Sequence, residues 1–259
     1  MRSLVRAGLL GFLGIALLLA AWTIAARKLD NAILLPPPTA LLAGLRETLV
    51  DGTLARDLAA SLKRVLCGFG LAATTALALV LTTVSFRPMR QLVLPVLALL
   101  RPIPPIAWVP IAILWFGLGD SPSYFVTAVA AFFPIFINSL AGVGTVEEQH
   151  LRAARCLGAG RLALIRFVYL PSALPNVFTG LKVGLGQSWM AVVTAELIAA
   201  QSGLGYMIEL NRLQLETPRV LVGMLVIAVV GALMTLSLSW AETLLFPWRQ
   251  QHRRKGAIG

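Results

Sequence analysis

Residues 148–171 read EQHLRAARCLGAGRLALIRFVYLP. The stretch is polar, bears four arginines and has helical character, yet it lies between segments apolar and long enough to cross a bilayer. Thr145 and Glu148 have the Thr-x-x-Glu spacing of a capping box, which predicts that a helix begins at Thr145. Gly158 supplies a residue able to take the left-handed conformation that stops it. A second helical run follows and is expected to close at Leu170-Pro171, because a residue before proline resists the α conformation. Two short helices joined at a glycine make a rigid knuckle, suited to docking a soluble partner rather than to crossing lipid.

The composition around the knuckle is that of a membrane protein. Of 259 residues, 58% are hydrophobic and 13% charged, against about 25% charged in a soluble domain, and mean hydropathy is +0.83. The net charge of +11 raises the question of nucleic acid. The basic residues, however, sit in small clusters between apolar stretches, as the positive-inside rule requires, and form no continuous patch. Cys67 falls in an apolar span and Cys156 in the knuckle, so neither a disulfide nor a metal site is expected.

Six spans are expected, at residues 7–26, 65–86, 102–119, 121–146, 174–200 and 220–241. Arg2 and Arg6 ahead of the first make a signal peptide the competing reading. Its uncharged run exceeds the roughly 7–15 residues of a typical signal core, which favours a retained helix. Residues 92–100 are expected to lie along the inner surface or to extend the third span inward. The knuckle carries Arg152, Arg155, Arg161 and Arg166. Arg87 and Arg90 follow the second span, and Arg249, Arg253, Arg254 and Lys255 the sixth. The turn Asp120-Ser121-Pro122 has no basic residue. These loops put the knuckle and both termini on the cytoplasmic side. The segment 27–64 then faces outward, although its six basic residues count against the rule. Leu35-Pro36-Pro37-Pro38 gives it a stiff, extended start, and a surface helix is expected beyond.

The chain lacks the constellations of a membrane enzyme. His150 and His252 have no partner at motif spacing, and no Gly-x-x-x-x-Gly-Lys-Ser/Thr phosphate loop occurs. Energised work would therefore draw on another polypeptide or on an ion gradient. A gradient-driven carrier or channel is the competing class; inverted repeats or paired intramembrane charges would favour it.

The knuckle resembles the EAA loop of ABC importer permeases, whose pattern is Glu-Ala-Ala, three residues, Gly, nine residues, an aliphatic residue, any residue, Leu-Pro. Arg152, Ala153, Ala154, Gly158, Val168, Leu170 and Pro171 fall at the matching positions, with Arg152 in place of the glutamate. The run from Arg101 to Pro110 (RPIPPIAWVP), Trp115-Phe116-Gly117-Leu118-Gly119, Ala195-Glu196-Leu197-Ile198 and Ser202-Gly203-Leu204-Gly205 look like the permeases of the nitrate, sulfonate and taurine group.

The resemblance implies an all-α type I importer permease. Residues 1–55 would form a first helix and periplasmic linker, 56–246 the transmembrane domain with its coupling loop at about 145–171, and 247–259 a basic cytoplasmic tail. It also implies two permease copies, a dimer of cytoplasmic ATPase subunits that bind ATP and Mg, and a periplasmic or lipid-anchored solute-binding protein, in a bacterial inner membrane. This chain itself would bind no cofactor and no metal. The implied solutes are small oxyanions, with neutral heterocycles such as thiamine precursors or pyrimidine-like compounds as the alternative. Candidate pathway residues are Trp108, Asn138, Gln187, Ser188 and Glu196. Lys182 and Arg101 are expected at the membrane interface, and Trp115 and Trp189 in packing roles.

Overall fold

Long apolar runs with few helix breakers dictate helices, and the computed structural model of the chain has no strand among the residues it describes. These are residues 2–245, with side chains from Leu13 onward except Ile15, Arg87 and Arg161. The basic tail, with His252, lies outside the described residues.

Among the described residues, four helical runs are long and apolar enough to cross a membrane. They are α3 (Thr53–Ser85), α6 (Asp120–Gly144), α11 (Thr217–Leu245) and a run over Leu162–Ala199 that ends in α9 (Leu170–Ala199). Residues 7–26, the first expected span, lie within the helix α1 (Arg2–Leu29), whose Trp22 Nε1 donates to the Pro36 carbonyl at 3.0 Å. The extended prolines lead into the expected surface helix, α2 (Pro38–Val50). Between α2 and α3, Asp51 accepts from the Thr53 hydroxyl at 2.6 Å and the Thr53 amide at 2.9 Å. Those two bonds hold its carboxyl below the usual carboxylate range.

The third span departs from expectation. Residues 102–119 hold only a 3-10 turn (Pro105–Trp108) and the eight-residue α5 (Val109–Phe116). The other arm is α4 (Arg87–Leu100), and the two arms meet at 95°. Pro102, Pro104 and Pro105 remove three amide donors and bias the residues before them away from α, so an uncharged run of sufficient length still cannot be one helix. If the bent pair counts as one span, the described residues hold five.

The second span starts earlier than expected, because α3 takes in residues 53–64 and draws Arg64 into the bundle. Arg64 is therefore a buried structural cation and does not count against the positive-inside rule. An amphipathic helix that was not anticipated, α10 (Leu204–Leu213), joins α9 to α11.

Helix association inside lipid relies on close backbone approach at small residues. On α9, Gly180 and Gly184 are four residues apart and face α6. A Cβ on Gly184 would lie 2.8 Å from Ile135 Cγ1, and one on Gly180 would lie 3.1 Å from the Ile135 Cα. A core of Val65, Leu185, Trp189, Val192, Leu204 and Val222 then ties α3, α9, α10 and α11 together.

Candidate functional site

The knuckle forms at the expected place with different boundaries. Thr145 does not start a helix; its hydroxyl donates to the Gly142 carbonyl at 2.7 Å and so closes α6. The next helix, α7 (Glu148–Cys156), begins after Glu147 with no side-chain cap, so the capping box is not made. Its other end is closed by a Schellman motif. Gly158 takes φ +82°, its amide bonds to Arg155 O at 2.9 Å, and the Ala159 amide bonds to Ala154 O at 3.0 Å.

Leu170-Pro171 is not a terminus either. The short α8 (Arg161–Leu164) passes through a π turn (Ile165–Tyr169) straight into α9. The Leu170 amide bonds back five residues to Ile165 O, and Pro171 follows directly where the π turn has shifted the hydrogen-bond register. The knuckle is thus built as one piece with a membrane span. It also exposes large apolar side chains that sequence reading did not single out: Leu157 at 88%, Leu162 at 80% and Phe167 at 71%. Their hydrophobicity was legible, but their outward direction depends on the turn geometry.

The opposite end of the bundle is built on Arg64, which no sequence motif had marked. Its guanidinium is 2% exposed. Nε and Nη2 donate to Asp120 Oδ1 at 2.9 and 2.5 Å, Nη1 to Glu196 Oε1 at 2.7 Å and to Ser202 O at 2.6 Å, and Nη2 also to Ser202 Oγ at 2.7 Å. All five of its N–H groups are thereby used. Glu196 further accepts from Ser61 Oγ at 2.8 Å and the Gly205 amide at 3.0 Å. The Gly203 amide donates to Asp57 Oδ1 at 3.1 Å. A Cβ on Gly203 would lie 2.4 Å from Glu196 Cδ, so only glycine lets this turn lie on the carboxylate.

The five pathway candidates do not form one site. Glu196 is sealed in the Arg64 cluster. Ser188 is buried between α6 and α9 and donates to Thr127 O at 3.3 Å. Trp108 packs edge-on against Phe125, centroids 6.1 Å apart. Only Asn138 and Gln187 meet, in a cleft of about 310 Å³ that Arg101 also lines. Gln187 and Ser188 part company because successive residues on a helix point about 100° apart. Trp189 packs as expected, donating to Ile227 O at 2.9 Å. Lys182 is ion-paired with Glu242 of α11.

Long apolar spans, with a polar knuckle integral with one of them, define a multi-pass membrane protein. The chain belongs to the family of binding-protein-dependent transport system inner membrane components, which matches residues 68–251. It is 38% identical over 243 residues to the taurine transport system permease protein TauC of Escherichia coli, covering 90% of this chain and 86% of the relative. It is 34% identical to a putative aliphatic sulfonates transport permease protein, SsuC, of Bacillus subtilis (93% and 88% covered). It is 31% identical to the nitrate import permease protein NrtB of Synechocystis (78% and 73% covered). The fold matches a chain of an amino acid ABC transporter with a TM-score of 0.60 at 19% identity, covering 78% of this chain and 96% of that one. It matches a chain of the MetNI methionine ABC transporter with a TM-score of 0.56 at 17% identity, covering 81% and 97%.

Proposed function

We propose that this chain forms the solute pathway of an ATP-driven importer and couples it to a separate cytoplasmic ATPase through the knuckle. The observation that carries the proposal is the continuity from α7, through the Schellman turn at Gly158 and the π turn, into the span α9. A force applied to α7 reaches the membrane helix through the four-residue turn at 157–160 and then the unbroken run from α8 into α9. Ala153 is exposed and Ala154 half-buried, small enough for a partner surface to approach closely, while Leu157, Leu162 and Phe167 supply apolar anchors. Arg152, Gly158, Val168, Leu170 and Pro171 complete the coupling segment.

In this reading two copies of the chain pair around the pathway, and a dimer of ATPase subunits binds the knuckles and holds ATP and Mg. A periplasmic or lipid-anchored binding protein delivers solute at the Arg64 end. The membrane is a bacterial inner membrane, with the knuckle and both termini in the cytoplasm. The names of the relatives favour a small oxyanion such as taurine, an aliphatic sulfonate or nitrate over a neutral heterocycle.

Reconstitution tests this. The permease, purified with its ATPase and supplied with binding protein in proteoliposomes, should accumulate labelled taurine or sulfonate only when ATP is present on the ATPase side. Accumulation driven by an ion gradient without ATP would instead make the chain a secondary carrier.

A further inference from the structure

We infer that Arg101, with Gln187 and Asn138, is the point inside the pathway where the oxyanion is held and selected; this rests on the importer reading above. Arg101 directly follows α4, whose 14 residues begin at the knuckle end of the bundle, where Arg90 shares a pocket with Val146, Leu151 and Tyr169. At about 1.5 Å per residue its guanidinium is carried roughly 20 Å inward, toward the middle of a hydrocarbon core about 30 Å thick. An arginine at that depth is costly and marks a solute or ion route. The break of residues 101–104 is irregular backbone, which inside a membrane persists only where it is covered by protein or lines a cavity.

The cavity is present. Arg101 faces a cleft of about 310 Å³ with Asn138 of α6 and Gln187 of α9, and no acidic residue lines it among those described. Gln187 lies in the middle third of α9. Asn138 gives one amide proton to Pro134 O at 2.8 Å, leaving the other for a ligand. Arg101 is exposed and, unlike Arg64 and Lys182, has no ion-pair partner among the described residues. Its planar fork and the two amides supply donors on several sides, the arrangement a tetrahedral sulfonate or planar nitrate accepts. A cleft with a free cation and no carboxylate also rejects cationic solutes.

The test uses the whole importer in proteoliposomes, with labelled taurine and methanesulfonate as probes, and reads solute moved per ATP hydrolysed. Arg101→Gln is expected to lower that ratio by about tenfold or more, the scale of one lost charge-assisted contact. Arg101→Lys, which keeps the charge without the fork, should recover part of it. A ratio unchanged in Arg101→Gln overturns the assignment, as does an equal fall in transport and hydrolysis in both variants, which would place Arg101 in assembly or closure. If the wild type moves no oxyanion under ATP, the importer reading itself fails and the assignment with it.

Discussion

Two arginine–glutamate pairs stand at opposite ends of this molecule. Arg64 and Glu196 are 2.7 Å apart with side chains 2% and 0% exposed. Arg152 and Glu148 are 3.0 Å apart, with side chains 70% and 73% exposed. The first pair gathers α3, α6, α9 and the turn before α10 into one hydrogen-bonded unit, and removing either partner would strand a buried charge. The second is an i,i+4 pair on one solvated helix, screened and readily exchanged for contacts with another protein. The same chemistry therefore fixes one end of the bundle and leaves the other available. The proposed coupling would use both: a fulcrum that does not yield, and an arm whose surface groups are free to rebind.

The comparison is most easily broken at the sealed end. Arg64→Leu leaves Glu196 and Asp120 without their cation, and breaking a buried pair costs about 3–5 kcal/mol. The expected result is loss of most folded protein from detergent extracts, read by size-exclusion chromatography. Recovery at the wild-type level would show that the cluster is not what holds that end together.

Gly203→Ala tests the turn with a smaller change. The added methyl would meet Glu196 at a φ of +108°, and strained conformations of this kind cost of the order of 1–3 kcal/mol. A fall in Tm of several degrees is expected; an unchanged Tm would mean the turn can move off the carboxylate.

At the knuckle, substitutions should damage function more than stability. Gly158→Val puts a β-branched residue at φ +82°, where left-handed backbone costs about 1–2 kcal/mol. No atom would crowd the new Cβ, so the bundle should stay folded while ATP-driven uptake is lost. Undiminished uptake would dissociate the turn from coupling. The smallest effect is expected from Arg152→Glu: no change in Tm, since its partner is solvated, but a weaker and differently salt-dependent association with the ATPase. A loss of Tm comparable to that of Gly203→Ala would remove the contrast between the two ends.

Much of this was legible in the sequence because it depends on local pattern. Hydropathy located the spans, and the spacing from Ala153 to Pro171 located the knuckle. What failed were readings in which one signal was taken alone. The uncharged length of residues 102–119 suggested a span, but Pro102, Pro104 and Pro105 decide the backbone there. Leu170-Pro171 suggested a stop, but a π turn can shift the hydrogen-bond register and carry the helix past the proline. The Arg64 cluster was illegible for another reason. The groups that Arg64 binds lie 56 to 138 positions away in the chain, and nothing in the sequence near Arg64 announces which carboxylates it will meet. Arg101 was visible as a charge, but its placement beside Asn138 and Gln187 follows from the direction of α4.

The central claim is that the knuckle is where an ATPase engages this chain. The direct measurement is affinity purification of the tagged full-length chain from its native membranes in mild detergent, with quantitative mass spectrometry of what remains bound, for the wild type and Gly158→Val. The account predicts a stoichiometric ATP-binding subunit with the wild type and its loss, at equal permease recovery, with the variant. An ATPase retained equally by both would contradict it, as would a stable homo-oligomer of the wild type that carries no nucleotide-binding partner.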